Sequence, residues 1–238
     1  MENFETLFRW ANVDFLNLNR LKILRAVFGD LQKAWKVSPE TLISAAKIPA
    51  RSAQNFAKRR AEFLANEKKF FEKFEKLNAQ LLFLENENYP PRLKKIPDSP
   101  IFLFSRGEIS AADDLSFAVI GSRNLTATGR RAIEKIVPDL TRSKLTIVSG
   151  LARGADIAAQ KVAVKSGGRT IGVLGSGIDK IWPTENSKLA DEILSKKCGA
   201  IISEFPLFTD PLAFNFPRRN RIVSGLTLGV LVIEGKEK

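Results

Sequence analysis

Three arginines stand close together near the end of the chain. Arg218, Arg219 and Arg221 lie within four residues, with Asn220 between the last two, and Pro217 comes directly before them. A guanidinium group can bind two phosphate oxygens at once, and it stays charged at physiological pH. Because proline fits the first turn of a helix, the segment also predicts a helix N-terminus, where free N–H groups attract anions. The segment therefore indicates a phosphate-binding site.

Two glycine-containing turns upstream also hold arginines. Their residues are Gly121, Ser122 and Arg123 in the first turn, and Gly150, Arg153 and Gly154 in the second. Each turn follows a short apolar run that is typical of a β-strand. If the strands are parallel neighbours, their carboxyl ends meet at one edge of a sheet, which is where such folds bind ligands. We therefore expect the three basic segments to form one site at that edge.

The pattern from Ser116 onward alternates between short apolar runs and helical segments. The predicted strands span residues 117–121, 146–150, 170–175, 200–205 and 229–234. The predicted helices span residues 126–142, 155–165, 185–196 and 217–226. Strands that are apolar throughout are buried on both faces, so the pattern predicts an α/β fold with a mostly parallel sheet flanked by helices.

The first 80 or so residues have helical periodicity interrupted by turn residues. Gly29 predicts a helix end, Ser38 and Pro39 predict a helix start, and Pro49 predicts a break before one longer helix over residues 51–76. We expect a small helical domain similar to helix-hairpin-helix modules. Since its turns lack the glycines that would let backbone amides reach phosphate, a packing or partner-binding role is favoured over DNA binding.

The composition favours a polyanionic partner. The 238 residues include 38 Lys and Arg against 26 Asp and Glu, a formal charge of +12, which suits nucleic acid or an anionic membrane surface. The chain has no histidine and one cysteine, Cys198, so we expect no metal site and no cofactor. No apolar run approaches the roughly 20 residues that span a bilayer, and we expect a cytoplasmic protein with no membrane partner.

The glycine turns do not match the common nucleotide-binding motifs. Gly175 and Gly177 supply two glycines of the dinucleotide fingerprint, but Lys180 stands at the third position. This turn also follows the third predicted strand rather than the first, and the chain has no P-loop motif. The sequence therefore argues against a nicotinamide or P-loop nucleotide site.

Considered together, the motifs are far more specific than any one alone. Their sequences are Gly-Ser-Arg at 121–123, Ser-Gly-Leu-Ala-Arg-Gly-Ala-Asp at 149–156, Leu-Gly-Ser-Gly-Ile-Asp at 174–179, Trp-Pro at 182–183, Ser-Glu-Phe-Pro at 203–206 and Phe-Pro-Arg-Arg-Asn-Arg at 216–221. In this order and spacing the set resembles the DNA-processing protein A family, DprA, also called Smf. The resemblance covers about residues 80–234, and the N-terminal helices resemble the family's SAM-like extension only loosely.

The resemblance implies an extended Rossmann-like domain that binds single-stranded DNA and helps load a RecA-type recombinase during natural transformation. It implies no enzymatic activity, and it allows a homodimer. The residues that it assigns to DNA binding are Gly121, Ser122, Arg123, Gly150, Arg153, Gly154, Arg218, Arg219, Asn220 and Arg221. We expect the arginines to lie at the surface and Arg153 to pair with Asp156 or to touch DNA. Phe214 and Phe216 either stack on bases or belong to the core, and their apolar loop favours the core.

The patterns along the chain predict three parts, and the sequence departs from the family at two places. The parts are a helical domain over 1–80, an extended connector over 81–115 and a Rossmann-like DNA-binding domain over 116–238. Gln160 stands where the family usually has histidine, and we expect this change to alter a structural hydrogen bond rather than the chemistry. The family continues beyond residue 238, so we expect a fragment or a short form in which the strand 229–234 exposes apolar side chains.

Two other functions stay open from the sequence. One is a nucleotide-processing enzyme similar to the N-glycosidases of a related fold, although their Pro-Gly-Gly-x-Gly-Thr-x-x-Glu motif is absent and Glu204 would have to act alone. The other is a nucleotide-binding protein that uses the same arginines. Competition between a short oligonucleotide and a mononucleotide distinguishes this second alternative from DNA binding.

Overall fold

A seven-stranded mixed sheet is the centre of the fold. The computed structural model describes residues 2–235. The strands are β1 (Ala79–Phe83), β2 (Phe102–Gly107), β3 (Ser116–Gly121), β4 (Thr146–Ser149), β5 (Thr170–Val173), β6 (Gly199–Ser203) and β7 (Val230–Ile233). Their order across the sheet is β1-β2-β6-β5-β4-β3-β7. The predicted fold class, a largely parallel α/β sheet with a helical N-terminal region, is confirmed.

The five strands from β6 to β7 in this order are parallel. Every residue of β4, β5 and β6 is buried, as the continuous apolar pattern predicts. Four helices connect or follow these strands. They are α7 (Ala127–Arg142), α8 (Ala155–Lys165), α9 (Ser187–Ser195) and α10 (Asn215–Gly225). Each strand and helix predicted from Ser116 onward is present, with ends that differ from the prediction by at most two residues.

The expected connector contributes strands to the sheet. β1 pairs antiparallel with β2, and β2 pairs antiparallel with β6, with Phe104 opposite Ser203. Tyr89 is buried between these elements, and its hydroxyl donates to the Pro100 carbonyl at 2.5 Å. The predicted boundaries at residues 80 and 115 stay a prediction.

Six short helices precede the sheet. They are α1 (Phe4–Ala11), α2 (Leu18–Phe28), α3 (Leu31–Lys36), α4 (Pro39–Ser44), α5 (Ala50–Ala65) and α6 (Glu67–Lys76). Gly29 ends α2 with φ +88°, and the Ser38 hydroxyl accepts from the Thr41 N–H at 3.2 Å at the start of α4, as predicted. The single helix expected over 51–76 is wrong, because Asn66 separates α5 from α6.

An aromatic core joins these helices to one face of the sheet. Trp10 stacks on Phe56 with ring centroids 4.9 Å apart, and Phe8 contacts Phe104 of β2 edge to face at 6.5 Å. All four side chains are fully buried. Because aromatic pairs add to the free energy gained by burial, this cluster fixes the position of α1 and α5 against the sheet.

The edge strand β7 exposes apolar side chains, as expected from its sequence. Val230 and Val232 are 44% and 58% exposed, whereas Ile233 is buried. Within residues 2–235, β7 pairs with β3 only. In the same range, no helix combines the length and the apolar composition needed to cross a bilayer.

Candidate nucleic-acid interface

The two glycine turns meet at the carboxyl ends of β3 and β4. Gly154 has φ +79°, and a Cβ atom there would lie 2.1 Å from the carbonyl oxygen of Ser122. The Ala155 N–H, at the start of α8, donates to the same oxygen at 3.0 Å. A Cβ at Gly121 would lie 1.8 Å from the Ile233 carbonyl oxygen. These glycines therefore let the β3 turn, α8 and β7 approach one another closely.

Arg219 lies inside this edge rather than on its surface. Its guanidinium donates to the Gly150 carbonyl at 2.9 Å and to the Val173 carbonyl, and the residue is only 4% exposed. Burial lowers the pKa of Arg219 to about 10, although the charge of Asp156 opposes this shift. The prediction of a surface arginine is wrong here: Arg219 binds the ends of β4 and β5 together.

Asp156 belongs to the same buried cluster. Its carboxylate accepts from the Gly150 N–H at 3.0 Å. Burial raises the pKa of Asp156, and the Arg219 charge opposes this rise. The expected pair between Arg153 and Asp156 does not form, since Arg153 points to solvent and donates to Glu185 at 2.6 Å. Asp156 is therefore bound by the backbone N–H of Gly150, whereas Arg153 pairs with Glu185.

The other two arginines of the cluster contact buried and surface acids. Arg221 donates to both carboxylate oxygens of Glu204, at 2.9 and 2.5 Å, and to Asp98 at 2.9 Å. Arg218 lies 3.6 Å from Glu204 and 3.4 Å from Asp14. Burial raises the pKa of Glu204, and the charges of Arg221 and Arg218 oppose this rise. Successive helix residues point about 100° apart, so α10 directs its three arginines to different surroundings.

Arg123 is exposed at this edge and differs from the other arginines in its neighbours. Its side chain is exposed, and its guanidinium lies 5.9 Å from the centroid of the Phe216 ring. No carboxylate within residues 2–235 forms an ion pair with it. Phe216 is in turn seated on Gly175, where a Cβ would lie 2.8 Å from the ring. Phe216 is therefore held in place by Gly175, and Arg123 beside it is accessible from solvent.

Arg123 and Phe216 line an open cleft of about 620 Å³, which we call the arginine cleft. Other residues of the arginine cleft are Gly121, Ser122, Asn124, Asp156, Arg219 and Asn220. Asn220 is exposed on α10. The structure thus brings five of the ten predicted residues to one cleft, while Gly150 and Gly154 support its floor and Arg153, Arg218 and Arg221 engage acids elsewhere.

The sequence did not indicate the role of Glu234. This residue lines the arginine cleft, and its carboxylate accepts from the N–H groups of Thr126 at 3.0 Å and Gly129 at 3.1 Å. Hydrogen bonds from Thr126 lower the pKa of Glu234. An acid therefore occupies the N-terminus of α7, where a phosphate would otherwise be attracted. A pattern linking residues so far apart in the chain cannot be seen in one sequence.

Gln160 forms three hydrogen bonds inside the fold, so its role is structural. The side chain is fully buried; its oxygen accepts from the Leu151 N–H at 3.1 Å, and its nitrogen donates to Thr170 at 3.1 Å and to the Ile171 carbonyl at 3.2 Å. The amide thus links the turn after β4 to β5. The predicted core position is wrong for Phe214, which is 68% exposed, while Phe216 is half-buried.

Comparison with known proteins identifies the family. The model of the DNA recombination-mediator protein A family matches residues 80–238. The chain belongs to this family. It is 45% identical over 160 residues to Protein Smf of Escherichia coli, which covers 67% of this chain and 42% of that protein. It is 35% identical over 217 residues to the DNA processing protein DprA of Bacillus subtilis, covering 87% and 71% of the two chains.

Solved DprA structures share the fold. DprA from Streptococcus pneumoniae superposes with a TM-score of 0.78 at 30% identity, over 100% of this chain and 80% of that one. DprA from Helicobacter pylori superposes with a TM-score of 0.56 at 29% identity, over 65% of this chain and 68% of that one. The structure of that protein gives insight into a unique mode of binding single-stranded DNA. The chain spans 42% of the Escherichia coli Smf protein and 58% of the Synechocystis one.

Proposed function

We propose that this DprA-family protein binds single-stranded DNA and acts as a recombination mediator that loads a RecA-type recombinase during DNA uptake. One observation is central to the proposal. Arg123 lies over an aromatic ring in an open cleft and has no carboxylate partner within residues 2–235, at the sheet edge where parallel α/β folds bind ligands. The DprA of Helicobacter pylori, for which single-stranded DNA binding is described, shares this fold.

The predicted site residues divide into three roles in this proposal. Arg123, Ser122 and Asn220 contact the DNA backbone, and Gly121 lets it approach the turn. The second role is structural: close contacts at Gly150, Gly154 and Arg219 fix the positions of the turns that form the sheet edge. Arg153, Arg218 and Arg221 reach DNA only by exchanging a carboxylate partner for a phosphate.

The proposed binding is tolerant of sequence. Arginine and the Phe216 ring offer a charge and a stacking surface, neither of which distinguishes one base from another. We propose no catalysis at this edge, because the Glu204 carboxylate accepts hydrogen bonds from Arg221 and lies close to Arg218. The recombinase partner and a homodimer rest on family membership alone.

The binding step is tested by fluorescence anisotropy of labelled oligo-dT over a range of salt concentrations. The logarithm of the affinity should fall linearly with the logarithm of the salt concentration, with a slope of about −0.7 for each phosphate contacted. Unlabelled oligo-dT should compete better than duplex DNA and far better than a mononucleotide. A slope near zero would contradict phosphate binding, and stronger competition by the mononucleotide would favour the nucleotide-binding alternative.

The loading step needs a separate measurement. A RecA-type recombinase should displace a single-strand-binding protein from long single-stranded DNA faster when this protein is added. If strand binding is observed but the displacement rate stays unchanged, the protein binds DNA without acting as a mediator.

A further inference from the structure

A second groove lies on the other side of the first turn of α10. It runs between α5 and α6 on one side and the loop before α10 on the other, with a volume of about 450 Å³. We call it the aromatic groove. The residues on which the argument depends are Arg59, Lys69, Phe208, Leu212, Phe214 and Arg218. From its structure we propose that the aromatic groove binds a second segment of the same single strand that occupies the arginine cleft. This proposal rests on the proposed function.

Cations lie over aromatic rings at both sites. Arg218 lies 5.4 Å from the centroid of Phe205, and Lys69 lies 4.9 Å from the centroid of Phe208, in the same arrangement as Arg123 over Phe216 at 5.9 Å. Proteins that bind single strands without sequence preference combine positive charge for the backbone with aromatic faces for the bases. Phe205 is only 2% exposed, so Phe208 and Phe216 are the rings of these pairs that retain an accessible face. One such ring beside a cation at each site is suited to separate nucleotides of one strand.

The charges of the groove favour an anionic occupant. Lys69 is exposed, and no carboxylate within the described part of the chain forms an ion pair with it. Arg59 and Arg218 share Asp14, at 3.2 and 3.4 Å, and Arg218 also lies 3.6 Å from Glu204, an acid that pairs with Arg221 as well. Glu62 also lines the groove, where it pairs with Lys58 at 3.9 Å. Positive charge thus remains available beside the rings.

Two aromatic residues are held where a base could reach them. Phe214 is 68% exposed, and Leu212, which also lines the groove, is 46% exposed. Phe208 has φ +67°, a conformation that is unfavourable for a bulky residue, and it is fixed by its N–H donating to Asp179 at 2.9 Å. Backbone conformations of this kind persist only where the surrounding structure holds them, and they are frequent at ligand-binding sites.

The start of α10 places the groove in line with the arginine cleft. Phe214 and Arg218 line the aromatic groove, while Phe216, Arg219 and Asn220 line the arginine cleft. A strand held at Arg123 that continues past the first turn of α10 therefore enters the aromatic groove. This continuity favours the same strand, rather than a separate protein segment, as the occupant.

Strand length distinguishes the two sites. Binding of oligo-dT is measured by anisotropy for strands of about 4 and about 16 nucleotides. These lengths are the limits of the site sizes of single OB-fold modules that bind single strands. We expect Phe214→Ala to weaken binding of the long strand roughly 5- to 100-fold, as for the loss of one stacked base, and to leave the short strand unaffected. Lys69→Ala should weaken the long strand and make its salt slope smaller by about 0.7.

Lys68→Ala is the matched control, because Lys68 is a neighbouring exposed lysine that pairs with Glu72 at 3.7 Å. Arg123→Ala should weaken binding of both lengths. If the wild-type protein binds both lengths but Lys69→Ala and Phe214→Ala behave like Lys68→Ala, this inference is wrong while the proposed function stands, and a protein segment becomes the better occupant. A wild-type protein that binds neither length overturns both.

Photo-crosslinking gives an independent readout. An oligo-dT of about 16 nucleotides that contains 5-iodouracil should crosslink to Phe214 or Phe208 as well as to Phe216, as identified by peptide mass spectrometry. Crosslinks confined to Phe216 and the residues around Arg123 would overturn the inference. Thermal unfolding of each variant checks that the exposed substitutions leave the fold intact.

Discussion

The guanidinium of Arg219 occupies the space where a side chain at position 150 would stand. It donates to the Gly150 carbonyl at 2.9 Å, and a Cβ at Gly150 would lie 2.3 Å from its Nη2 atom. The turn at Gly150 and the arginine segment of α10 look like separate phosphate-binding elements in the sequence, but in the structure they contact each other. This contact explains why a glycine and a buried arginine occur together at the edge where β4 and β5 end.

We expect Arg219→Ala to destabilise the protein. The substitution leaves the Gly150 and Val173 carbonyls without their donor and removes the charge that opposes the raised pKa of the buried Asp156. Losses of this kind cost about 2–5 kcal/mol of the free energy of unfolding. Urea unfolding followed by circular dichroism measures the change. An unchanged midpoint together with lost DNA binding would show that Arg219 serves DNA directly.

Gly150 and Arg219 should be energetically coupled. We expect Gly150→Ala alone to destabilise the fold, because the added methyl group would displace the guanidinium. In the Arg219→Ala background the space is empty, so the same substitution should cost less. A double-mutant cycle in urea should give a coupling free energy of about 0.5–3 kcal/mol, the range for residues in contact. Additive effects would contradict the contact.

The sequence predicted the sheet and the location of the site because both depend on local patterns. Short runs rich in apolar and β-branched residues, such as Thr146–Ser149, are typical of buried strands, and glycine turns after them mark the carboxyl ends of strands. The direction in which each arginine side chain points depends instead on acids that are distant in the sequence. Arg218 pairs with Asp14, and Arg221 pairs with Asp98 and Glu204. The residues near α10 in the sequence do not indicate these acids.

The exposure of Phe214 was missed for a similar reason. An apolar loop residue is usually buried, and the sequence does not show that α5 and α6 lie opposite this loop and leave a groove. The burial of Arg219 was missed because long charged side chains are rarely fully buried unless paired. Here the partners are two backbone carbonyl groups, which every residue has, so no residue type indicates them.

We expect Arg123→Ala to weaken binding of oligo-dT by roughly 10- to 100-fold, the effect of losing one charge-assisted hydrogen bond to phosphate. The side chain is exposed, so the midpoint of thermal unfolding should barely change. The slope of the salt dependence should fall by about 0.7. Arg123→Lys should restore only part of the affinity, because an ammonium group cannot bind two phosphate oxygens in parallel.

Arg142→Ala is the matched control for Arg123. Arg142 ends α7, is exposed, and forms an ion pair with Asp139. Its substitution removes the same charge from the protein, so a general effect of net charge would weaken binding equally in both variants. Equal losses would show that Arg123 has no special role in the arginine cleft.

Stability should depend on pH through Asp113. The residue is 6% exposed, and its carboxylate accepts from Thr146 at 2.8 Å, from the Ser110 N–H at 2.8 Å and from Arg169 at 2.9 and 2.8 Å. Burial alone would raise the pKa of Asp113, but the hydrogen bonds from Arg169, Ser110 and Thr146 outweigh it and hold the pKa below its ordinary value. The folded state therefore favours the ionised form.

The sign of the effect follows from this lowered pKa. The stabilisation is fully present above the ordinary aspartate pKa of about 3.9 and is lost as the pH falls through the lower pKa of the folded state. We expect Asp113→Asn to lower the free energy of unfolding by about 1–3 kcal/mol at neutral pH. Urea unfolding at a series of pH values should show the difference from wild type holding down to about pH 4 and shrinking below it. Asp139→Asn, at an exposed ion pair, should differ from wild type by less than about 1 kcal/mol at every pH. A wild-type advantage over Asp113→Asn that persists undiminished in acid would show that the Asp113 interactions do not depend on its charge.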